Sequence, residues 1–436
     1  MSSIPPRTAQ EGPDTTMPSQ NPRITRRTLI AGTGAAAAGL VATRANAAPP
    51  PGGAIDVHVV VVDGLRVDEV NGALMPVLSA LAREGSRYVT ANAIQVAETL
   101  PNHAAMMTGV LPHRNGVPAN KIFDRTEGQF RYLERPDDLT VPTMLDLART
   151  QRGLTTASVL SKEYLHGLFQ GRASVHWNPS PLIPLTDHAP DQSTMDALLR
   201  TLAEHHPRLT FSNLGDVDRV GHIDVTGTGF RYARTAAVRN TDEQLGRFVS
   251  YMRDSGSWNR SVIIVVADHS MDWSAPLSLI SLQIPFALDP LLRDNVMIAD
   301  NGGASLWYWT GAAQSRDEAV QRMRRIAEGH AGVASTHETA QFGLGERAGD
   351  LVAFCHPGWR FTDPTVLSNP IPGNHGHDVT LPIPLIVSGG HPSVPRGQTF
   401  TSAVTTMDVA PTVASLLSIS APPGGFDGAV LPGFSG

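Results

Sequence analysis

The segment DVHVVVVDG, residues 56–64, decides the fold. Residues 56–62 form a β-branched apolar run, which is the pattern of a strand buried on both faces. The run ends in Asp63-Gly64, and a helix-like segment follows from about residue 73 to 84. The carboxyl end of such a strand is where an open α/β sheet collects its ligands, so Asp63 is a candidate site residue. An Asp at this position could equally cap the following helix.

The rest of the chain alternates between strand-like and helix-like segments. Further strands are predicted at 155–160, 210–214, 261–267 and 384–388, and further helices at 139–149, 191–205, 235–254 and 407–417. This alternation predicts the α/β class, with a doubly wound, mostly parallel central sheet flanked by helices. From about residue 274 to 361 the regular alternation of strand-like and helix-like segments is interrupted. We interpret this part as a small inserted cap region within one domain spanning residues 55–436.

Composition excludes two classes of protein. The 436 residues are 41% hydrophobic and 17% charged, with a formal net charge of −6. An acidic chain is not expected to grip nucleic acid through its phosphates. Cys355 is the only cysteine, so the chain has no internal disulfide and no Cys-based metal site.

The N-terminus has the pattern of an export signal. Arg26-Arg27 precedes an uncharged Ala- and Gly-rich run over residues 28–43, and Ala45-Asn46-Ala47 supplies a small-x-small cleavage site. Residues 1–47 resemble a twin-arginine signal peptide, and the proline-rich residues 48–54 form a linker. The run is too short and too weakly apolar for a transmembrane anchor. We therefore expect export to the periplasm or outside the cell through the twin-arginine machinery, although an uncleaved tail is the alternative.

Thr99 is a candidate nucleophile. It lies in VAETLPNH, residues 96–103, just before a helix-like run over residues 104–109. A hydroxyl at the start of a helix lies among unpaired N–H groups and at the positive end of the helix dipole. That position suits attack on an anionic phosphorus centre. The alternative is that Thr99 only caps the helix.

Further polar residues follow the strands or lie in glycine-containing loops. Together with Asp63 they provide three carboxylates and three imidazoles: Asp63, Asp218, His222, Asp268, His269 and His375. Such a set without cysteine suits Zn²⁺, with Mn²⁺ or iron as alternatives. Six ligands are too many for one tetrahedral site, so the pattern predicts two divalent metal ions with room left for substrate oxygen. A metal ion would also lower the pKa of the Thr99 hydroxyl.

The order of these motifs resembles the alkaline phosphatase superfamily, and within it the type I phosphodiesterase/nucleotide pyrophosphatase family. The residues that carry the resemblance are Asp63, Thr99, Asp218-x-x-Gly-His222, Asp268-His269 and Gly373-x-His375-Gly376. Thr99-Leu100-Pro101-Asn102-His103 is similar to the family's Thr-Phe-Pro-Asn-His nucleophile motif, and Gly116-x-x-x-Asn120-x-x-x-Asp124 is similar to the segment that follows it.

The resemblance implies a mechanism and a substrate class. Asp63, Thr99, Asp268 and His269 would hold one metal ion, and Asp218, His222 and His375 the other. Thr99 would be phosphorylated transiently and then freed by water, while Asn120 and the Thr99 N–H hold a phosphoryl oxygen. The implied reaction is hydrolysis of phosphodiester or pyrophosphate bonds in a small substrate such as a nucleotide.

Two alternatives stay open. The sulfatase motif is absent, but Ser161-Lys162-Glu163-Tyr164 weakly resembles a Lys-bearing segment of the phosphonoacetate hydrolases and some monoesterases. Lys162 is therefore a candidate substrate-binding residue and favours a phosphomonoesterase or phosphonate hydrolase, unless it is merely an exposed lysine at a helix start. The other alternative is a catalytically inactive exported metal-binding protein. It predicts gaps in the ligand set, and the sequence has none.

Overall fold

The computed structural model describes residues 54–184, 186–223 and 231–434. The predicted signal segment and residues 48–53 of the predicted linker lie outside the described residues. Within the described ranges, no helix is both long and apolar enough to cross a membrane.

The described residues form twenty β-strands: β1 Asp56–Val62, β2 Ser86–Tyr88, β3 Ala91–Asn92, β4 Lys121–Asp124, β5 Gln129–Tyr132, β6 Thr156–Leu160, β7 Val175–Trp177, β8 Leu209–Leu214, β9 Ser261–Val266, β10 Asp272–Trp273, β11 Leu279–Ile280, β12 Val296–Asn301, β13 Ala304–Trp309, β14 Val333–Glu338, β15 Leu351–Cys355, β16 Arg360–Phe361, β17 Gly373–Asn374, β18 Leu385–Ser388, β19 Gln398–Phe400 and β20 Val404–Thr405.

The same residues form eleven α-helices: α1 Pro76–Glu84, α2 Thr99–Thr108, α3 Pro112–Asn115, α4 Met144–Arg152, α5 Glu163–Phe169, α6 Asp191–His205, α7 Asp216–His222, α8 Arg231–Asp254, α9 Gln283–Leu288, α10 Arg316–Glu328 and α11 Val409–Leu417.

The central sheet has eight strands in the order β19-β2-β18-β9-β1-β8-β6-β7. Within the described chain, only β18 runs against the other strands of this sheet. All seven residues of β1 are buried, so both faces of the sheet are covered. One group of helices, α1, α6 and α8, packs together, and so does another, α2, α4 and α11. The predicted doubly wound, mostly parallel α/β fold is confirmed.

Helix α2 begins earlier than the sequence pattern predicts. We expected the helix to start near Ala104, after Pro101, but it starts at Thr99. Proline is tolerated in the first turn of a helix because the N–H groups there have no intrahelical acceptor. Pro101 therefore lies inside the first turn, and Thr99 becomes the first helical residue.

A second, smaller sheet lies between β9 and β18 in the chain. Its four strands are antiparallel in the order β12-β13-β15-β14. It has an apolar core of its own, which includes Phe286, Trp307 and Met323. The short strands β11 and β16 pair where the chain enters and leaves this region. This is the small inserted region of the fold.

The carboxyl ends of the central strands gather the polar residues. Asp63 follows β1 directly, Lys162 follows β6, Asp218 follows β8 and Asp268 follows β9. Because these strands are parallel neighbours, their carboxyl ends lie at the same edge of the sheet. The fold therefore brings together side chains that are far apart in sequence.

Candidate functional site

Thr99 opens helix α2 and does not cap it. The N-cap residue is Glu98 in extended conformation, and its side chain makes no capping hydrogen bond. The Thr99 hydroxyl is buried, with Oγ1 3.3 Å from His269 Nε2 and 3.4 Å from Lys162 Nζ. The expectation that Thr99 only caps the helix is wrong, because its hydroxyl points into a cluster of charged side chains.

Two buried carboxylates each keep one oxygen without a partner. Asp63, Asp218 and Asp268 are at most 1% exposed. Among the described residues, Asp218 Oδ1 and Asp268 Oδ2 have no hydrogen-bond partner, whereas Asp63 Oδ1 forms an ion pair with Lys162 Nζ at 2.8 Å. A buried polar atom left unpaired costs free energy, and an anionic one costs more. The unpaired oxygens are therefore the part of the site that a bound cation would stabilise most.

The second oxygen of each carboxylate is held in place. Asp63 Oδ2 accepts from Asn213 Nδ2 at 2.8 Å. Asp268 Oδ1 accepts from the backbone N–H groups of Gly64 and His269, at 3.1 and 3.0 Å. These bonds fix the orientation of the carboxylates, so the unpaired oxygens face the centre of the cluster.

The histidine rings are oriented in one consistent way. His222, His269 and His375 each place Nδ1 against a backbone carbonyl, of Gly373, Ser270 and Ala97 respectively, at 2.8 to 3.1 Å. A carbonyl oxygen only accepts, so we assign the proton of each ring to Nδ1. The Nε2 lone pairs are then free for a metal ion, which is the usual arrangement of histidine ligands.

These free acceptor atoms face one another. His222 Nε2 lies 3.3 Å from both His375 Nε2 and Asp218 Oδ1. His269 Nε2 lies 3.4 Å from Asp268 Oδ2 and 3.7 Å from Asp63 Oδ1. With Nε2 unprotonated, no hydrogen lies between these atoms, and a cation resolves the repulsion between them. These acceptor atoms form two groups of three, and His269 belongs to both. One group is Asp218, His269 and His375, and the other is Asp63, Asp268 and His269.

The protonation states fit a metal centre. Burial lowers the pKa of His269 and places that of His375 well below its usual value, so both rings are neutral and able to act as metal ligands. Burial, reinforced by the nearby Asp63, raises the pKa of Asp268 well above its usual range. Burial opposes ionisation of Asp218 too, but the Lys162 ammonium holds the pKa of Asp218 well below its usual value.

Lys162 lies inside the site. Its side chain is fully buried, and Nζ lies 2.8 Å from Asp63 Oδ1 and 2.7 Å from Asp218 Oδ2. The expectation of an exposed lysine at a helix start is wrong for a physical reason. Two buried carboxylates draw the ammonium inward, because a buried charge is tolerated when it is paired.

Asn120 lies beside Thr99, at the start of α2. Its Oδ1 accepts from the Leu100 N–H at 2.8 Å, and the backbone N–H of Asn120 donates to Glu98 Oε2 at 2.7 Å. With Oδ1 engaged, the Asn120 Nδ2 hydrogens are the donors that remain. The Thr99 N–H, in the first turn of a helix, also lacks an intrahelical acceptor. Two donors are thus available next to the Thr99 hydroxyl.

The family profile of type I phosphodiesterase / nucleotide pyrophosphatase matches residues 57–378. The chain belongs to this family. It is an enzyme of the phosphodiesterase/nucleotide pyrophosphatase type, and the superfamily expected from its motifs is confirmed.

Relatives of this phosphodiesterase-family chain are distant in sequence but similar in length. A bis(5'-adenosyl)-triphosphatase of Bos taurus is 21% identical over 376 residues, which cover 83% of this chain and 78% of that protein. The human ectonucleotide pyrophosphatase/phosphodiesterase family member 5 is 20% identical over 390 residues, which cover 84% and 75%.

Two solved structures show the same fold. The murine ectonucleotide pyrophosphatase/phosphodiesterase 5 superposes with a TM-score of 0.70 at 17% identity, covering 86% of this chain and 97% of that one. Phosphonoacetate hydrolase from Sinorhizobium meliloti, in complex with phosphonoacetate, gives 0.64 at 17% identity, covering 84% and 96%.

The structure of this phosphodiesterase-family protein adds supporting residues that the sequence pattern did not single out. Asn213, the penultimate residue of β8, donates to Asp63, and its Nδ2 lies 3.0 Å from His103 Nε2. His103 Nδ1 donates to the Thr99 carbonyl at 2.8 Å, so this ring supports the start of α2. An amide close to the carboxyl end of a predicted central strand was the signal that would have identified Asn213.

Proposed function

We propose that this protein is a metal-dependent hydrolase of phosphodiester or pyrophosphate bonds that acts through a phosphothreonine on Thr99. One observation carries the proposal. The Thr99 hydroxyl opens a buried helix and faces two groups of acceptor atoms, in which Asp218 Oδ1 and Asp268 Oδ2 lack hydrogen-bond partners among the described residues. Membership of the family supports a nucleotide-like substrate, as do the triphosphatase name of the Bos taurus relative and a murine neighbour solved with AMP.

The ligand sets are those that the family resemblance implies. Asp63, Thr99, Asp268 and His269 would hold one divalent ion, and Asp218, His222 and His375 the other. The first set contains one of the two groups of acceptors. In the second set His222 stands where the geometric group has His269, and its Nε2 lies 3.3 Å from both His375 Nε2 and Asp218 Oδ1. Zn²⁺ suits this nitrogen and oxygen set, with Mn²⁺ or iron as alternatives. When bound, the ions supply positive charge that favours the Thr99 alkoxide and offsets the charge of the phosphoryl group.

The residues of the chain perform the remaining work. Thr99 Oγ1 attacks phosphorus, a new P–O bond forms, and the leaving group departs with the electron pair of the broken bond. Asn120 Nδ2 and the Thr99 N–H donate to a non-bridging oxygen as charge develops on it. Water then cleaves the phosphothreonine and restores the hydroxyl. Lys162 lowers the pKa of Asp218 and pairs with Asp63, and its Nζ is close enough to Thr99 to contact the phosphoryl group.

The test is a hydrolysis screen with metal analysis of the same sample. Bis(p-nitrophenyl) phosphate, p-nitrophenyl phosphate and phosphonoacetate would be compared in metal-loaded wild type and in Thr99→Ala. We expect the diester to be preferred and the variant to be inactive. No turnover of any substrate by the metal-loaded protein would overturn the proposal.

A second candidate function rests on Lys162. Its buried ammonium lies 3.4 Å from the Thr99 hydroxyl, where it can meet the extra charge of a monoester or phosphonate dianion. The discriminating measurement is kcat/KM for diester and monoester in wild type and Lys162→Ala. A monoester preference that collapses selectively in the variant would favour this candidate.

We also propose that the protein is exported in the folded state, as the paired arginines and the Ala-x-Ala site indicate. N-terminal sequencing of exported material should find a start near Ala48. A start before Arg26 would contradict export through this signal.

A further inference from the structure

Arg219 is a partly buried cation that has no partner among the described residues. It lies in α7, directly after Asp218, and with the described residues it forms neither a salt bridge nor a hydrogen bond from its guanidinium. Its Nε is buried and unpaired. Other covered arginines are engaged: Arg234 pairs with Glu69 at 2.6 Å, and Arg131 with Asp138 at 2.8 Å. The guanidinium of Arg219 therefore has an unused capacity to bind an anion.

Tyr164 joins this free cation to the candidate active site. The Arg219 guanidinium lies 5.7 Å from the Tyr164 ring centroid, and Lys162 Nζ lies 5.8 Å from the same centroid. Both distances fit cation–π contacts. Lys162 is already paired with Asp63 and Asp218, whereas Arg219 is not. The two cations thus flank one aromatic ring, and only the outer one is available.

Arg219 adjoins the acceptor cluster and is also reached by solvent. Its side chain is only partly buried. Arg219 is next in sequence to Asp218, whose carboxylate belongs to the acceptor cluster. The guanidinium is therefore accessible to a ligand that extends from the cluster.

We propose that Arg219, supported by Tyr164, binds a second anionic group of the substrate, a phosphate or a carboxylate adjacent to the phosphorus that Thr99 attacks. The proposal rests on the proposed function and sharpens its substrate class. A planar guanidinium fork matches the oxygens of either group, and a buried charge gains most from such a pair. A simple diester, which carries one charge, does not use this contact.

Binding to a protein that cannot turn over substrate tests the inference directly. Metal-loaded Thr99→Ala would be titrated calorimetrically with AMP and ADP, which differ by one phosphate, and with methylphosphonate and phosphonoacetate, which differ by one carboxylate. Adding Arg219→Gln should weaken ADP or phosphonoacetate about tenfold more than its partner ligand. A selective loss for ADP identifies a second phosphate, and one for phosphonoacetate a carboxylate.

Matched variants separate this role from a structural one. Arg200→Gln removes an exposed arginine and should leave all four affinities within about twofold. Arg219→Lys keeps the charge but loses the planar guanidinium fork, so its affinity for ADP or phosphonoacetate should lie between those of Arg219 and Arg219→Gln proteins. Tyr164→Leu should repeat part of the selective loss, with unchanged metal content.

The outcomes distinguish the two proposals. If Arg219→Gln weakens the affinity for both ligands of each pair equally, or weakens none of them, the role of Arg219 is overturned even when the diester is hydrolysed. If the metal-loaded wild type hydrolyses nothing, the proposed function fails, yet a selective loss of ADP or phosphonoacetate binding still supports the anion subsite.

Discussion

The carboxyl edge of the central sheet and the inserted region both bury carboxylates, but they treat them in opposite ways. In the inserted region, Asp350 accepts from Arg125, Arg316 and the Trp309 N–H, each at 2.7 Å. At the sheet edge, Asp218 and Asp268 each keep a buried oxygen without a partner in the described chain. The first arrangement serves stability, and the second reserves its acceptors for a ligand.

The same contrast holds for histidines. His58 on β1 has both ring nitrogens within hydrogen-bond distance of hydroxyls, Thr210 Oγ1 at 2.8 Å and Ser261 Oγ at 3.4 Å. His375, at the sheet edge, presents Nε2 to another acceptor nitrogen. The two histidines therefore differ in the same way as the two groups of carboxylates.

The largest expected effect comes from Thr99. Thr99→Ala should lower kcat by roughly a thousandfold or more, because the attacking hydroxyl is lost while most metal ligands remain. Thr99→Ser should keep appreciable activity. Thr108→Ala, on the same helix, is the control, since the Thr108 hydroxyl only bonds the Ala104 carbonyl. Steady-state kinetics decide the matter, and near-normal activity of Thr99→Ala would mean that water attacks phosphorus directly.

Lys162 sharpens the comparison because, among the residues described, it is the one cation that is ion-paired within the acceptor cluster. In metal-free protein, Lys162→Met should cost about 3–5 kcal/mol of unfolding free energy, since it strands two buried carboxylates. Metal ions should restore much of that loss by compensating the same charges. Urea unfolding with and without Zn²⁺ measures this. An equal cost in both conditions would show that the ammonium does not share its carboxylates with a metal ion.

Asp350→Asn tests the claim that the fully paired carboxylate of the inserted region serves stability. Asp350→Asn should cost about 1–3 kcal/mol, because hydrogen bonds to two guanidinium groups are weakened. Metal content and kcat/KM should stay near wild type, since the substitution lies outside the acceptor cluster. Loss of metal from this variant would break the distinction between the two regions.

The smallest effect concerns pH and His58. Burial, aided by the charge of Arg260, lowers the pKa of His58 to about 3. Since an unfolded His titrates near 6.5, the unfolded state binds more protons below that pH, and stability falls as pH falls from about 6.5 towards 3. In that window the free energy of unfolding of His58→Gln should fall less steeply than that of wild type, by up to about 1.4 kcal/mol per pH unit. Urea titrations at pH 7, 6 and 5 should show diverging slopes, and parallel slopes would contradict a neutral buried His58.

The fold followed from the sequence where periodicity and burial agree. Helix 191–205 has its predicted bounds, and the strands predicted at 155–160, 261–267 and 384–388 lie within one residue of theirs, because each is a continuous pattern with one period. The short strands β2 and β19, at one side of the central sheet, were not predicted. Three residues carry too little periodic information, and only pairing with β18 and with each other makes them strands.

The candidate site was predictable as a set of residues but not as an arrangement. The strand-end positions of Asp63 and Asp268 indicate convergence, since parallel strands share an edge. The burial of Lys162 and the isolation of Arg219 depend on which neighbours α5 and α7 bring close. No local pattern encodes such contacts.

The central claim is that the unsatisfied cluster at the sheet edge is a two-metal centre. Elemental analysis of purified protein, after removal of loosely bound ions, tests it most directly, with Asp268→Asn, His375→Ala and the control Asp350→Asn measured alongside. We predict two divalent ions per chain in wild type and in Asp350→Asn, and clearly fewer in both cluster variants, with activity falling in parallel. Full activity in protein without bound metal, or equal metal content in all four proteins, would contradict the account.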